Sequence, residues 1–376
     1  MKKGPNYDTE VVKHYVRKSS WLQPFKAAYN RAERDYKNSK RTDRFKYLTF
    51  CAKNAIDVFL LEKEGLLYRD TETSRLVNVY FCEENDEDFI AIKQLIGSEN
   101  QGFYGKFEKL LFEEFELDEP ESDNEEFNEV DDEAVRQLIR LKESQDKLYA
   151  SFPFDAINLD VYGHLFPKNG DRYSEQCKMF SKVLDLQKSE DGIPISKFVL
   201  YLTVFTPLEE NEMNQEAYNE LLGSLFENMK YDFFRNGIKD KYDVETPDKL
   251  DFHIKYTFGF LKKVILREAY KHGWVVKVSD LYCYDRSFKK SNDRYKMSCY
   301  VLEFEREQNL DNSPADFQGA IPSIVENKYK VEIERFINSF PKNAPSKDNI
   351  SNTIREDLEG VVEFREKFLQ SIKNEF

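Results

Sequence analysis

Short apolar runs that alternate with segments of helical periodicity are the feature that most constrains how this chain folds. Runs at 45–51, 75–82, 152–160 and 197–206 are rich in aromatic and β-branched residues, as is typical of strands buried on both faces. Between them, apolar side chains recur every three or four positions, as in helices. Strands that alternate with helices predict a parallel sheet covered by helices on both faces. A run at 105–112 fits a further strand, although its periodicity also fits a helix.

Two longer runs further along the chain have a different pattern. Residues 274–284 and 295–305 alternate apolar and polar side chains and are joined by a polar connection, which predicts an antiparallel hairpin at the edge of the sheet. Long helical patterns precede them, around 214–234 and 247–271. We therefore predict an α/β fold: a three-layer, Rossmann-like, mostly parallel sheet with a C-terminal antiparallel hairpin and with helical extensions at both ends.

Charge is distributed unevenly along the chain. Residues 1–46 contain thirteen Lys or Arg and five Asp or Glu, a net charge of +8, so the remaining residues carry −22 behind the total of −14. We predict a basic helical arm over 1–44, a Rossmann-like domain over 45–308 and a helical appendix over 309–376. An acidic stretch at 118–133 has ten acids in sixteen residues and no base, which predicts an extended, solvated loop.

Composition and residue spacing exclude several classes of protein. Hydrophobic residues make up 40% of the chain and aromatic residues 15%, which is too rich in core formers for a disordered chain. We expect no membrane span and a cytoplasmic location, since no run approaches the ~20 apolar residues of a spanning helix and the N-terminus lacks a secretory pattern. The five cysteines and four histidines show no metal-binding spacing, so no metal is expected.

The residues that follow the predicted strands are the candidates for a ligand site, because parallel sheets bind ligands at the carboxyl ends of their strands. An acid after the second strand can accept hydrogen bonds from ribose hydroxyls, but it can also stabilise the start of a helix. An acid after the fourth strand can accept a hydrogen bond from an amino group, or it can cap a turn. The candidates are Cys51, Ala52 and Asn54 after the first strand, Glu83 and Glu84 after the second, and Asp160 and Tyr162 in a predicted turn at 160–163.

The strand order, the acid after the second strand, the turn at 160–163 and the terminal hairpin resemble class I S-adenosylmethionine-dependent methyltransferases. That family has a seven-stranded sheet whose last strand inserts antiparallel, and the resemblance covers about residues 45–305. It implies S-adenosylmethionine beside residues 51–54 with its ribose on Glu83 or Glu84, and a substrate at Asp160 and Tyr162. The chain departs from the family at its first loop, which lacks glycine, and at 160–162, where one residue stands in place of two prolines.

Two functions follow from these observations. The first is a methyltransferase that acts on nucleic acid or an amine. The second is a binding or scaffold subunit that kept the fold and lost the cofactor, a reading that the glycine-free loop favours. Segments 48–67 and 79–89 are also similar in pattern to uncharacterised bacterial proteins of mobile-element and phage-defence loci. We expect protein partners at the arm or the helical tail, with nucleic acid at the arm as the alternative.

Overall fold

The computed structural model describes residues 7–96, 101–115, 132–164, 175–188, 195–206, 209, 212–287, 294–306 and 342–375. Its strands are β1 (Tyr47–Thr49), β2 (Val79–Glu83), β3 (Gly102–Tyr104), β4 (Ala156–His164), β5 (Lys197–Thr206), β6 (Trp274–Ser287), β7 (Arg294–Arg306) and β8 (Lys342–Asn343). Within the described ranges these strands form one sheet in the order β3-β2-β1-β4-β5-β7-β6-β8.

Strand direction divides the sheet into two parts. Strands β1 to β5 pair in parallel with one another. Strand β7 lies antiparallel between β5 and β6, so β6 runs in the same direction as β5. The predicted α/β fold with a mostly parallel sheet and a C-terminal antiparallel hairpin is confirmed.

Helices cover both faces of this sheet. They are α1 (Tyr7–Val16), α2 (Leu22–Lys37), α3 (Ile56–Lys63), α4 (Asp86–Ile96), α5 (Phe107–Phe112), α6 (Asp132–Ser151), α7 (Glu175–Leu186), α8 (Gln215–Asn228), α9 (Asp232–Tyr242), α10 (Phe252–Phe260), α11 (Arg267–Lys271) and α12 (Asn352–Glu375). A π-helical segment, Arg17–Trp21, joins α1 to α2, and another, Leu261–Leu266, joins α10 to α11. No helix in these ranges is long and apolar enough to cross a membrane.

The alternation of side chains along the strands separates two apolar cores. In β5, Leu200 and Leu202 pack with α5 to α11 on one face, whereas Val199 and Tyr201 pack with α1 to α4 and α12 on the other. In β4, Ile157 and Leu159 belong to the core that contains Leu200. Because side chains alternate along a strand, Asn158 between them points to the opposite face, toward α1 to α4 and α12. The basic arm therefore covers one face of the sheet.

Several predicted boundaries are wrong. The run at 105–112 is not a strand: β3 ends at Tyr104, Gly105 has a φ of +129°, and Phe107, Leu110 and Leu111 are buried at helical spacing in α5. The pattern around 214–234 forms two helices, α8 and α9, and that around 247–271 is divided into a 3₁₀ turn, α10, a π segment and α11.

Two corrections concern the carboxyl half of the sheet. Residues 160–163 are not a turn, because β4 continues to His164 and its register with β5 shifts between Asp160 and His164. The hairpin is not at the edge of the sheet, because β8 pairs with the outer side of β6. Most of the predicted acidic loop, over 118–131, and the first part of the predicted helical appendix, over 309–341, lie outside the described residues.

Candidate functional site

The loop after β1 holds the first group of predicted site residues. Cys51, Ala52 and Asn54 line a cavity at the carboxyl end of the sheet, as their position after β1 predicts. The turn closes with a hydrogen bond of 2.7 Å from the Ala55 amide to the Ala52 carbonyl, and Ala55 has a left-handed φ of 46°. An alanine thus adopts the backbone conformation for which glycine is usual. Burial raises the pKa of the Cys51 thiol, so this cysteine is a protonated, apolar part of the wall.

A buried carboxylate below this loop was missed by the sequence analysis. Asp57, in the first turn of α3, is 3% exposed. Its Oδ2 atom accepts hydrogen bonds from the Thr49 hydroxyl at 2.7 Å, the Tyr47 hydroxyl at 3.1 Å and the Asn158 amide at 3.4 Å. The available signal was a single acid inside the apolar run at 56–61. Because its acceptor binds donors from both β1 and β4, Asp57 fixes the start of α3 over the sheet.

Strand β4 contributes two acceptor atoms that have no hydrogen-bond partner in the described part of the chain. They are Oδ1 of Asn158, which is 3% exposed, and Oδ1 of Asp160, and both residues line the cavity. Buried polar atoms are nearly always paired, so two unpaired acceptors at one cavity indicate a place for a hydrogen-bond donor. Tyr162 lies in β4 as well, but its side chain is outside the described ones.

The other side of the cavity comes from the arm. Lys13 of α1 donates to Oδ2 of Asp160 at 2.5 Å, and the two side chains are 12% and 15% exposed. Arg17 forms an ion pair with Glu10, and its guanidinium lies 5.7 Å from the centre of the Trp21 ring. Although burial opposes it, the charges of Arg17 and Lys13 lower the pKa of the Glu10 carboxyl. Glu10 and Arg17 thus form a charged pair beside Lys13 in a mostly buried cluster.

The enclosed space is small. With α1 in this position, the cavity has a volume of about 60 Å³. Sites for cofactors and drug-sized ligands usually measure roughly 300–1,000 Å³. S-adenosylmethionine does not fit the residues in this arrangement, since Lys13 and its helix take up the space in front of Asp160.

Glu83 and Glu84 are not part of this cavity lining. The Glu83 carboxylate accepts a hydrogen bond of 2.9 Å from the Asn85 amide, and Asn85 caps α4 through the Asp88 amide at 3.0 Å. Burial raises the pKa of Glu83, while Glu84 is exposed. The described bonds are those of a helix start; the ribose-binding role stays a prediction.

A larger cleft, about 830 Å³, lies at the opposite edge of the sheet. Its lining includes the last turns of α2, α6 and α7, together with a bidentate pair between Arg41 and Asp155 at 2.7 and 3.0 Å. Helix carboxyl ends repel anions, and parallel sheets bind ligands at the other edge. We therefore assign the candidate site to the smaller, carboxyl-edge cavity. In the described ranges no group of three or more His, Cys, Asp or Glu is placed to hold a metal ion.

Fold and site together define an α/β protein with a Rossmann-like sheet and a polar, helix-covered pocket at its carboxyl edge. Residues 11–334 match the model of the PP_RS20740-like family, and because this match covers most of the chain, the protein belongs to that family. No curated protein and no solved structure matches the chain.

Proposed function

We propose that this chain is a methyltransferase-like protein whose carboxyl-edge site is closed by its own helix α1, and that S-adenosylmethionine binds there only after α1 has moved. The observation that carries this proposal is the ion pair between Lys13 and Asp160, which spans the site. The support from the fold is the position of β7, antiparallel between β5 and β6. That arrangement agrees with the resemblance to class I methyltransferases.

The protein groups at the site have roles that do not depend on a cofactor. Asp57 holds the loop after β1 to the sheet, and Asn158 and Asp160 present acceptors to a donor. When S-adenosylmethionine is bound, it supplies the methyl group. The chain itself would orient an amine at the Asp160 carboxylate.

Calorimetric titration with S-adenosylmethionine tests the proposal. We compare the full chain with Lys13→Ala and use Lys26→Ala as the matched control, because Lys26 is an exposed lysine on α2 and does not line the cavity. We expect Lys13→Ala to bind S-adenosylmethionine saturably, with a dissociation constant at least ten-fold lower than those of the full chain and of Lys26→Ala. Equal affinity in all three proteins would show that α1 does not close the site.

The second candidate is a scaffold subunit of a bacterial multi-protein system, such as phage defence, that has lost cofactor binding. The cavity of about 60 Å³ and the loop at 51–55, which has no glycine, favour this function. Silence of all three proteins at millimolar S-adenosylmethionine would support it. In that case the arm and α12 are the surfaces where protein partners are expected.

A further inference from the structure

The fixed wall of the carboxyl-edge cavity offers acceptors to whatever occupies it. Asn158 Oδ1 and Asp160 Oδ1 are buried and without a partner in the described residues, and the amide of Asn158 is already used on Asp57 and Thr49. A carboxylate and an amide oxygen accept hydrogen bonds and donate none. The wall therefore suits a group that has several N–H donors.

Charge selects among such groups. The cavity is lined by three acids, Glu10, Asp57 and Asp160, and by two bases, Lys13 and Arg17. Without the Lys13 side chain the lining has an excess of two negative charges. Unpaired buried charge is costly, so this excess favours a cation over a neutral donor.

The occupant in the closed chain is a primary ammonium group. Lys13 Nζ lies 2.5 Å from Asp160 Oδ2, so an ammonium donates to a carboxylate in a charge-assisted hydrogen bond. The two residues are 147 positions apart in the sequence, so this contact exists only because α1 covers the sheet. Lysine reaches the carboxylate through a narrow, unbranched alkyl chain, so an amine that takes its place needs the same shape.

We propose that the carboxyl-edge pocket is a binding site for a primary ammonium group on a narrow alkyl chain, and that Lys13 is its tethered competitor. An external amine binds Asp160 by displacing Lys13, which also releases α1. This inference rests on the proposed function in that it names an amine, not nucleic acid, as the substrate class of the same site. The ammonium site itself does not require S-adenosylmethionine.

Chemical rescue tests this inference without any cofactor. Lys13→Ala removes three methylene groups and the ammonium, a volume that n-propylammonium matches. We measure the thermal unfolding midpoint of the full-length variant in millimolar n-propylammonium chloride. Tetramethylammonium chloride is the control that has the charge but no N–H donor, and 1-propanol is the control that has the alkyl chain but no charge. We expect n-propylammonium alone to return the midpoint toward that of the unsubstituted chain, because a ligand that binds only the folded state stabilises it.

Matched variants locate the effect. Rescue should be lost in Lys13→Ala/Asp160→Asn and absent in Lys26→Ala, whose lysine is exposed and lies outside the cavity lining. If Lys13→Ala does not fold without additives, we measure refolding instead. Refolding in n-propylammonium but not in 1-propanol supports the inference, and no refolding in either additive overturns it. Equal shifts with all three additives, or with and without Asp160, would overturn it too.

The source of the amine is decided by a second probe. Rescue by n-propylammonium but not by Nα-acetyl-lysinamide assigns the site to a small free amine, whereas rescue by both assigns it to a lysine side chain. Rescue without binding of S-adenosylmethionine would leave the ammonium site standing and remove the proposed methyltransferase function. Binding of S-adenosylmethionine without rescue would support the proposed methyltransferase function and remove the ammonium site.

Discussion

At the scale of single residues, Asp57 connects the fold to the site. Its Oδ2 atom is the shared acceptor for the donors of Tyr47, Thr49 and Asn158, all of which are buried. A buried donor that loses its acceptor costs about 1–3 kcal/mol. The stability of the chain and the geometry of the pocket therefore depend on the same carboxylate.

We predict that Asp57→Ala lowers the free energy of unfolding by at least about 3 kcal/mol, since three buried donors lose their acceptor at about 1 kcal/mol or more each. Urea unfolding measures this change. Asp146→Ala is the matched control, because Asp146 is an exposed acid in α6, and we expect it to cost less than about 0.5 kcal/mol. Equal effects of the two substitutions would show that the Asp57 network does not stabilise the fold.

The buried side chain of His14 makes the stability of the fold depend on pH. This side chain is 0% exposed and lies 2.8 Å from an Asp357 oxygen, and burial lowers its pKa below the ordinary value of 6.5 although Asp357 opposes the shift. The unfolded chain then binds the proton at a higher pH than the folded chain does. Stability contributed by neutral His14 is therefore complete above pH 6.5 and is lost as the pH falls below it.

We predict that His14→Gln flattens the fall in unfolding free energy between pH 7.5 and pH 5.5, by roughly 1 kcal/mol relative to the unsubstituted chain. Urea unfolding at several pH values in this range measures the slopes. Burial also lowers the pKa values of His253 and His272, so part of the slope should remain. A slope unchanged by the substitution would contradict the assignment to His14.

At the scale of elements, the basic arm is part of the core. Trp21 stacks on Tyr201 with ring centres 4.5 Å apart, and Phe25 meets Phe45 and Tyr47 edge-on at 5.0 and 5.1 Å. At the other side of α1, Asp357 of α12 contacts His14 and Lys18. The arm is thus held between the sheet and the last helix.

We predict that Phe25→Ala lowers the free energy of unfolding by about 3–5 kcal/mol, because a fully buried aromatic side chain leaves a cavity. Phe226→Ala, at a residue that is 44% exposed, is the control and should cost less than about 1 kcal/mol. Chemical denaturation of both variants checks this. Similar small losses in both would mean that the arm packs loosely on the sheet.

The elements also show what the sequence could and could not predict. Apolar runs located β1, β2, β4 and β5, because a strand buried on both faces must be apolar over several residues, and alternating runs located β6 and β7. Strand β3, with three residues, and β8, with two, are too short to have a periodicity. Cys51, Ala52 and Asn54, predicted as site residues, line the cavity, although their binding role stays a prediction. Lys13 was not predicted there, because its contact with Asp160 depends on the tertiary fold.

At the scale of the whole molecule, several basic side chains of the arm form ion pairs with acids of the same chain. Lys13, Arg17 and Lys18 form ion pairs with acids, whereas Lys26 and Lys37 are exposed. The rest of the chain carries −22 and repels a polyanion. This distribution favours a structural or protein-binding role of the arm over contact with nucleic acid.

We predict that the full chain does not retard duplex DNA in gel-shift assays at physiological salt. The Lys26→Gln/Lys37→Gln variant should behave identically, because no phosphate contact is lost. A shift that weakens steeply with salt, and that the double substitution removes, would instead assign the arm to nucleic acid.

The measurement closest to the central claim is the rate at which the buried cysteines react with a thiol reagent, read residue by residue by mass spectrometry. Cys51 and Cys299 line the cavity closed by α1, whereas Cys82 and Cys177, also buried, do not. If Lys13 holds α1 over the site, Lys13→Ala should accelerate labelling of Cys51 and Cys299 at least ten-fold and leave Cys82 and Cys177 unchanged. Unchanged rates at all four cysteines, or equal acceleration at all four, would contradict a cover that opens over this site.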